Sequence, residues 1–420
     1  MKKITLTICL LLASCIVFAG KLQLIPTSET NASEPVLKNK NLITRSPQSI
    51  VTYPTITEPD EDVLHYISQV SIDRIMADIQ TLENFVTRRC DHSNSVLAQN
   101  WLIEQYEPFN LEVSVQALPD IFPWWGGVVQ SDNVIAVQYG TKFPDEYVIC
   151  GAHYDSFAYG ASEEPGADDN ASGTAGIIEI ARILSQYEFE RSIIYCAFTA
   201  EESGRHGSEY YAEQCANEDM NIIAYFNMDM IGYLQPGEEI KIHFSNPLSA
   251  KILADYCENV CEVYFPEIPF SYNHYMSRSD HRSFIDAGYM GITSIEYDFT
   301  ANPYYHKPDD IIGLGVNSPE LVETFVKANL ASIATLAMQG GTNNIIELNS
   351  KFKIYPNPTT GELRIENGEW RIENVEIFDI YGRKQKAESR KQNVVNISHL
   401  PAGVYILKIA NEFVEKIIKK

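Results

Sequence analysis

Two spacings of apolar residues divide the chain. Between Val70 and Thr87, "VSIDRIMADIQTLENFVT" sets Ile72, Ile75, Met76, Ile79, Leu82 and Phe85 three or four apart, and "SNSVLAQNWLIEQYE" carries a similar stripe. That spacing predicts amphipathic helices. Farther on, short and nearly continuous apolar runs alternate with helical stripes. "DNVIAVQYG", "EYVICGAHYDS", "RSIIYCAFTAEE", "NIIAYFNMDMIG", "EIKIHFS" and "MGITSIEYD" read as strands. "SGTAGIIEIARILSQY", "GSEYYAEQCAN", "PLSAKILADYCENV" and "SPELVETFVKANLASIATLAMQ" read as helices. Strands apolar on both sides, interleaved with helices, predict an α/β fold: a mostly parallel central sheet with helices on both faces. After "GGTNN" the pattern changes to four short β-like runs, "FKIYPN", "GELRIEN", "NVEIFDIYG" and "GVYILKIA". Turn residues between them predict a small C-terminal all-β sandwich.

The ends sharpen this division. "MKK" followed by "ITLTICLLLASCIVFAG" combines a basic start, an apolar stretch too short to span a bilayer and a small-residue end, so residues 1–20 read as a signal peptide. Within it "LLASC" also has the form of a lipobox, which would put a lipid on Cys15; export with a cleaved leader is the preferred reading. Residues 21–65 are rich in Ser, Thr, Asn and Pro and read as a pro-segment or linker. The folded body then covers 66–340, a linker 341–350 and the β module 351–420. No later run of 18 apolar residues exists, so no transmembrane helix is expected.

Charge excludes one class of partner. The net formal charge is −24, yet residues 351–420 hold 13 Lys and Arg against 9 Asp and Glu, so the negative charge belongs to the rest of the chain. An acidic body argues against nucleic-acid binding. Of eight Cys, Cys9 and Cys15 fall in the leader. Cys257 and Cys261 share one helix face, Cys150 and Cys196 lie in apolar strands, and the sequence leaves the pairing of the mature six open.

Candidate chemistry gathers where predicted strands end. "FTAEESG" sets Glu201 beside Glu202, an unfavourable pair unless a cation sits there or one acid is kept protonated for chemistry. "GAHYDS" supplies His153 and Asp155, "PGADDNASG" Asp168 and Asp169, "FNMDM" Asp229, and "YYHKPDD" His306. Ligands of open α/β sheets bind beyond the carboxyl ends of strands, so these residues converge on one crevice. Two His with several carboxylates form a mixed nitrogen and oxygen set suited to Zn²⁺. Singly, each motif is as well explained by a cap, a turn or a solvated strand exit, and Asp168 reads as a cap or loop acid. In "SRSDHRSF", three consecutive residues cannot form a Ser-His-Asp triad, and Asp280 reads as a helix N-cap and site wall. "FPWWGG", with Trp124 and Trp125, either packs against the sheet or walls a specificity pocket.

From about Val70 to Gln339 the motifs "GAHYDS", "PGADDNASGTAG", "FTAEESGRHGS", "FNMDMIG", "SRSDHRSF" and "YYHKPDD" resemble the zinc-dependent exopeptidases typified by secreted bacterial leucyl aminopeptidases. The resemblance implies a phosphorylase/hydrolase-like zinc exopeptidase fold and two Zn²⁺ ions per catalytic domain. It implies that Asp169 bridges the metals, with His153 and Glu202 completing one site and Asp229 and His306 the other. Glu201 would then be the general base acting on a zinc-bridging water, and Asp155 would orient His153. The implied activity is hydrolysis of N-terminal peptide bonds in peptides or proteins with a free N-terminus. A carboxypeptidase would need a cationic clamp, for which Arg278 and Arg282 are the candidates. The same residues leave open a glutaminyl cyclase-like acyltransferase on this fold and, in a different class, a non-catalytic, surface-displayed binding protein. The tail motifs "YPNPTTGELRI", "VEIFDIYGR", "ISHLPAGVYILKI" and "KIIKK" resemble the C-terminal sorting domain of type IX secretion in the Bacteroidetes, which implies a secreted or surface-attached protein and secretion machinery as a partner.

Overall fold

The computed structural model describes residues 53–245, 250–273, 278–339, 352–367, 375–379, 383–385, 388–391, 394–409 and 413–420. The expected leader, Cys15, the 341–350 linker and most of the 21–65 segment lie outside these residues. Along the body run α1 (Glu61–Ser68), α2 (Ile72–Glu83), α3 (Ser93–Tyr106), β1 (Glu112–Gln116), β2 (Asn133–Gln138), β3 (Phe143–His153), α4 (Gly173–Leu184), β4 (Arg191–Phe198), α5 (His206–Asn217) and β5 (Asn221–Met228). There follow β6 (Ile242–Ser245), α6 (Lys251–Tyr264), β7 (Phe270–Asn273), α7 (His281–Asp286), β8 (Gly291–Ser294) and α8 (Pro319–Met338).

The body's strands form one eight-stranded sheet in the order β1-β2-β4-β3-β5-β8-β6-β7. β4, β3, β5 and β8 are mutually parallel, whereas β1 with β2, β2 with β4, and β6 with β8 are antiparallel. The antiparallel margins were not legible in the sequence because β2 is apolar on both sides, and hydrophobicity records burial but not strand direction.

Alternate residues of the central strands feed two cores. Val148, Cys150 and Ala152 face one side with Ile75, Ile79, Ile177 and Phe325 of α2, α4 and α8. Ile149, Ile194 and Phe198 face the other with Tyr211 and Cys215 of α5 and Phe284 of α7. Adjacent strands β3 and β4 therefore send their following helices, α4 and α5, to opposite faces. That divergence opens a crevice at their carboxyl ends. α8 is the one described helix long and apolar enough to cross a bilayer, and it is buried as the core helix of the body.

Residues 53–65, which read as linker on composition, pack on the body. The Tyr53 hydroxyl donates to the Ile223 carbonyl at 2.9 Å, and Ile56 exchanges backbone bonds with the Asn259 side chain at 2.7 and 3.0 Å. Asp60 caps α1 by accepting from Asp62 N and Val63 N. Only Val63 and Tyr66 of α1 are buried, too few to mark a periodic stripe.

The tail contains β9 (Phe352–Tyr355), β10 (Glu362–Asn367), β11 (Val375–Asp379), β12 (Lys384–Gln385), β13 (Glu388–Lys391), β14 (Val394–Asn396), β15 (Gly403–Ile409) and β16 (Phe413–Lys419). They form two four-stranded antiparallel sheets, β13-β14-β10-β9 and β12-β11-β15-β16, around Leu363, Ile365, Ile377, Val395, Leu407 and Ile417. This is the small β sandwich expected from the four runs.

Candidate metal centre

His153, Asp155, Glu201, Glu202 and Asp229 end or follow β3, β4 and β5, whereas Asp169 and His306 reach the crevice from a helical turn and a loop. His153 ends β3, and Asp155 follows it. The Asp155 carboxylate accepts the backbone N–H of Glu201 at 3.1 Å and of Glu202 at 3.3 Å, so one buried acid holds the turn after β4. In that turn Gly204 N and Arg205 N both donate to the Glu201 carbonyl, at 2.8 and 2.7 Å, and Ala200 and Arg205 take positive φ angles. Asp169 lies in a wide helical turn, Ala167–Ser172, ahead of α4. Asn170 fixes this turn to the end of β5: its Nδ2 donates to the Met228 carbonyl at 2.9 Å, and its Oδ1 accepts Gly173 N at 2.9 Å. Gly173 has to be glycine, since a Cβ there would sit 2.2 Å from the Met228 carbonyl oxygen.

The distances sort these groups into two pairs. His153 Nε2 is 3.4 Å from Asp229 Oδ1 and 3.4 Å from Asp169 Oδ1. His306 Nε2 is 3.0 Å from Glu202 Oε2 and 3.2 Å from Asp169 Oδ2. The two oxygens of Asp169 thus face the two imidazoles. This grouping differs from the expected one of His153 with Glu202 and Asp229 with His306. The reason is register: Gly151 pairs with Asn227 across β3 and β5, which brings Asp229 level with His153, whereas His153 pairs with Phe198 on β4, four residues short of Glu202. Ligand atoms of His153, Asp169 and Glu202 also all lie within 4.8 Å of one another, which is the trio that the resemblance implied for one site.

The set fits tetrahedral zinc. Bonds of 2.0–2.1 Å at tetrahedral angles separate ligand atoms by about 3.3 Å, which the four contacts above approach. His153 Nδ1 lies 3.1 Å from the Asp155 carbonyl oxygen, an acceptor only, so Nδ1 carries the proton and Nε2 presents its lone pair to the crevice. Glu202 Oε1 is buried without a hydrogen-bond partner, as is His306 Nδ1.

Charge points the same way. Burial by itself would push His306 down, yet Glu202 and Asp169 raise it to about 11; His153 is likewise raised well above its usual value by Asp229, Asp155 and Asp169 against its burial. Burial pushes Glu202 up to about 8, helped by Asp169. Glu201 is raised well above the carboxylate range by loss of water and by Asp280, Glu202 and Asp229, against the pull of His153. Asp169 is lowered, because the two imidazoles outweigh its burial. A crevice with this excess of carboxylate over cation is a site for positive ions.

Three acids have roles that sequence reasoning did not assign. Asp168 accepts Gly232 N at 2.7 Å and Asn302 Nδ2 at 3.1 Å, and so, of the cap and loop readings, acts as a loop acid that joins the Asp169 turn to two other loops. Asp310, the last residue of "YYHKPDD", accepts the backbone N–H of Asp168 at 2.9 Å and of Asp169 at 3.0 Å. Burial pushes Asp310 up to about 7, opposed by those amides and by the buried Arg88. Asp280 stands at the N-cap position of α7 but makes no capping bond; it is fully buried, and that burial pushes it up to about 7. A doubled acid just past a His motif was the one available signal for Asp310. The two tryptophans divide packing and exposure between them. Trp125 stacks on Phe157 at 5.0 Å, while Trp124 is 63% exposed and donates from Nε1 to the Glu202 carbonyl at 3.4 Å. The six described cysteines, Cys90, Cys150, Cys196, Cys215, Cys257 and Cys261, are buried, and none forms a disulfide.

Residues 133–324, which contain every candidate ligand, match Peptidase family M28, and residues 353–420 match the Secretion system C-terminal sorting domain. A probable zinc metalloprotease of Pyrenophora tritici-repentis is 26% identical over 292 residues, covering 57% of this chain and 66% of that protein. The chain spans less than two thirds of the length of the curated relatives it matches. The Legionella pneumophila LapA aminopeptidase shares the fold at 21% identity and a TM-score of 0.59, over 70% of this chain and 79% of that one. A Bacteroides thetaiotaomicron glutaminyl cyclase shares it too, at 20% identity and a TM-score of 0.54, over 63% of this chain and 98% of that one. The fold alone therefore does not separate hydrolase from cyclase. Over residues 133–324 the chain is thus similar to Peptidase family M28 and over residues 353–420 to the secretion sorting domain, and these matches together with the zinc metalloprotease relatives support a zinc-dependent hydrolase.

Proposed function

We propose that the body is a di-zinc aminopeptidase in which Asp169 serves both ions, with His153 and Asp229 at one and Glu202 and His306 at the other. The observation that carries this reading is the division of Asp169 between two imidazoles, each with its own second carboxylate. Bound zinc supplies Lewis-acid chemistry at the scissile carbonyl and at the attacking water. Glu201 is the one acid of the "EE" pair without a ligand role, and its raised pKa suits it to take a proton from that water and return it to the leaving amine. Asp155 is a positioning residue: it fixes the backbone of Glu201 and Glu202, and its own carbonyl orients His153. The excess of carboxylates favours a substrate that presents an α-ammonium. A terminal carboxylate would need a cationic clamp; of the two candidates, Arg282 pairs with Asp286 at 2.7 Å and Arg278 is exposed. For export, residues 1–20 act as the cleaved leader and the tail as the type IX address.

The test is hydrolysis of leucine amide and its N-acetyl form by the zinc-loaded protein and by Glu201→Gln, with zinc counted in both. The reading requires cleavage of the free-amine substrate only, at least a ~100-fold loss in Glu201→Gln, and two zinc ions retained. Cyclisation of N-terminal glutamine without hydrolysis would reassign the site to acyl transfer, and cleavage of the blocked substrate would rule out an aminopeptidase.

A further inference from the structure

The mouth of the metal centre is asymmetric. Around His153 stand acids, Asp229 at 3.4 Å and Asp155, with the buried Asp280 among the charges acting on the same imidazole. His306 has acids as well, Glu202 at 3.0 Å and Asp169 at 3.2 Å, and beyond these stand aromatic rings. Phe157 meets the His306 ring edge-on at 5.4 Å, and Tyr159 meets it at 5.5 Å. Trp124 approaches Phe157 at 5.5 Å and hydrogen-bonds the Glu202 carbonyl; Tyr159 N donates to the His306 carbonyl at 3.2 Å. The rim is thus fastened to the two ligands of one pair, His306 and Glu202.

Packing explains only part of this rim. Phe157 is 9% exposed and Trp125 stacks against it, as core aromatics do. Trp124 and Tyr159, by contrast, leave 63% and 68% of their surface in water. Two large rings held by backbone bonds with most of their area open, beside a catalytic crevice, form a surface suited to an apolar partner. Position then decides which part of the substrate meets it. Acids flank both imidazoles while the rings stand on the His306 side, so a peptide whose α-ammonium rests on the His153 side continues past His306 and Glu202 toward the rim.

We propose that Trp124 and Tyr159 form a subsite for the side chain of the residue that follows the scissile bond, and that they favour an aromatic or large apolar residue there. This rests on the aminopeptidase reading above. The experiment compares kcat/KM for Leu-Phe, Leu-Gly and leucine amide in the full zinc-loaded chain, in Trp124→Ala and in Tyr159→Ala. The wild type is expected to prefer Leu-Phe over Leu-Gly by roughly tenfold, and each variant to lower that ratio by about threefold or more. Taken within one protein, the ratio cancels any loss common to both dipeptides, so a merely structural role would leave it unmoved. A wild-type ratio near one, or a ratio unchanged in both variants, overturns the subsite while cleavage of leucine amide keeps the aminopeptidase reading intact. No cleavage of any of the three substrates removes that reading and the subsite with it.

Discussion

Replacing Asp310 by Asn tests whether a residue that touches no candidate metal position nonetheless holds the centre together. The two carboxylate oxygens of Asp310 accept Asp168 N at 2.9 Å and Asp169 N at 3.0 Å, in a site only 3% exposed. The Asn side chain keeps the shape but offers one acceptor and one donor, so one buried backbone N–H is left facing an NH₂ group. An unsatisfied buried donor costs about 1–3 kcal/mol, and the lost charge also removes a counter-ion from the buried Arg88. The sum is about 3 kcal/mol at pH 8, where a carboxyl with a pKa of about 7 is mostly ionised. For a body of this size that lowers Tm by roughly 6–12 °C. Loosening the backbone of Asp169 is expected to weaken zinc binding about 10- to 100-fold. The assay is thermal melting plus zinc titration against a competing chelator, with Asp309→Asn as control, since Asp309 is exposed. If Asp310→Asn melts within about 2 °C of the parent, well under the expected shift, and binds zinc equally well, the argument that Asp310 organises the bridging turn is wrong.

Other outcomes are as readily measured. Stripping zinc with a chelator should lower Tm by roughly 8 °C or more, reversed by zinc, because binding to the folded state adds about 4 kcal/mol at a thousandfold excess over Kd; unchanged melting would mean no stabilising ion is held. Gly173→Ala would ordinarily favour helix, but its Cβ would lie 2.2 Å from Met228 O and 2.5 Å from Asn170 Oδ1, so a net loss of about 2 kcal/mol is expected in denaturant unfolding. Burial and Lys241 push His243 down to about 4, whereas the unfolded chain binds that proton near 6.5. Stability from this depressed histidine is therefore complete at pH 7 and lost as pH falls from 6.5 toward 4, by roughly 2 kcal/mol at pH 4.5. His243→Gln should lose correspondingly less stability over that interval, and equal losses in both proteins would refute the assignment.

The helices and central strands were legible because each carries a sustained apolar period; α2, α4 and β4 lie where the stripes and runs placed them. Among the candidate ligands, His153, Glu202 and Asp229 end or closely follow such a run, whereas Asp169 sits ahead of α4 and His306 in a loop. What sequence could not supply was the pairing, since it depends on how far Asp229 and Glu202 extend past strands whose mutual register is set by tertiary contacts. Asp155 and Asp310 show a second limit. Both act by accepting backbone N–H groups from distant segments, a role with no side-chain partner to recognise in the motif. The 53–65 stretch shows a third limit: it is tied down by one bond to Ile223 and a pair of bonds to Asn259, which leave no compositional trace.

The six described cysteines of the body, none of them in a disulfide, have a consequence for how the body meets oxidants. Each described thiol is enclosed, and burial raises the pKa of Cys150 and Cys196 so that little reactive thiolate forms. The described body is thus held together by packing and hydrogen bonds, with its thiols shut away from oxidants while it stays folded.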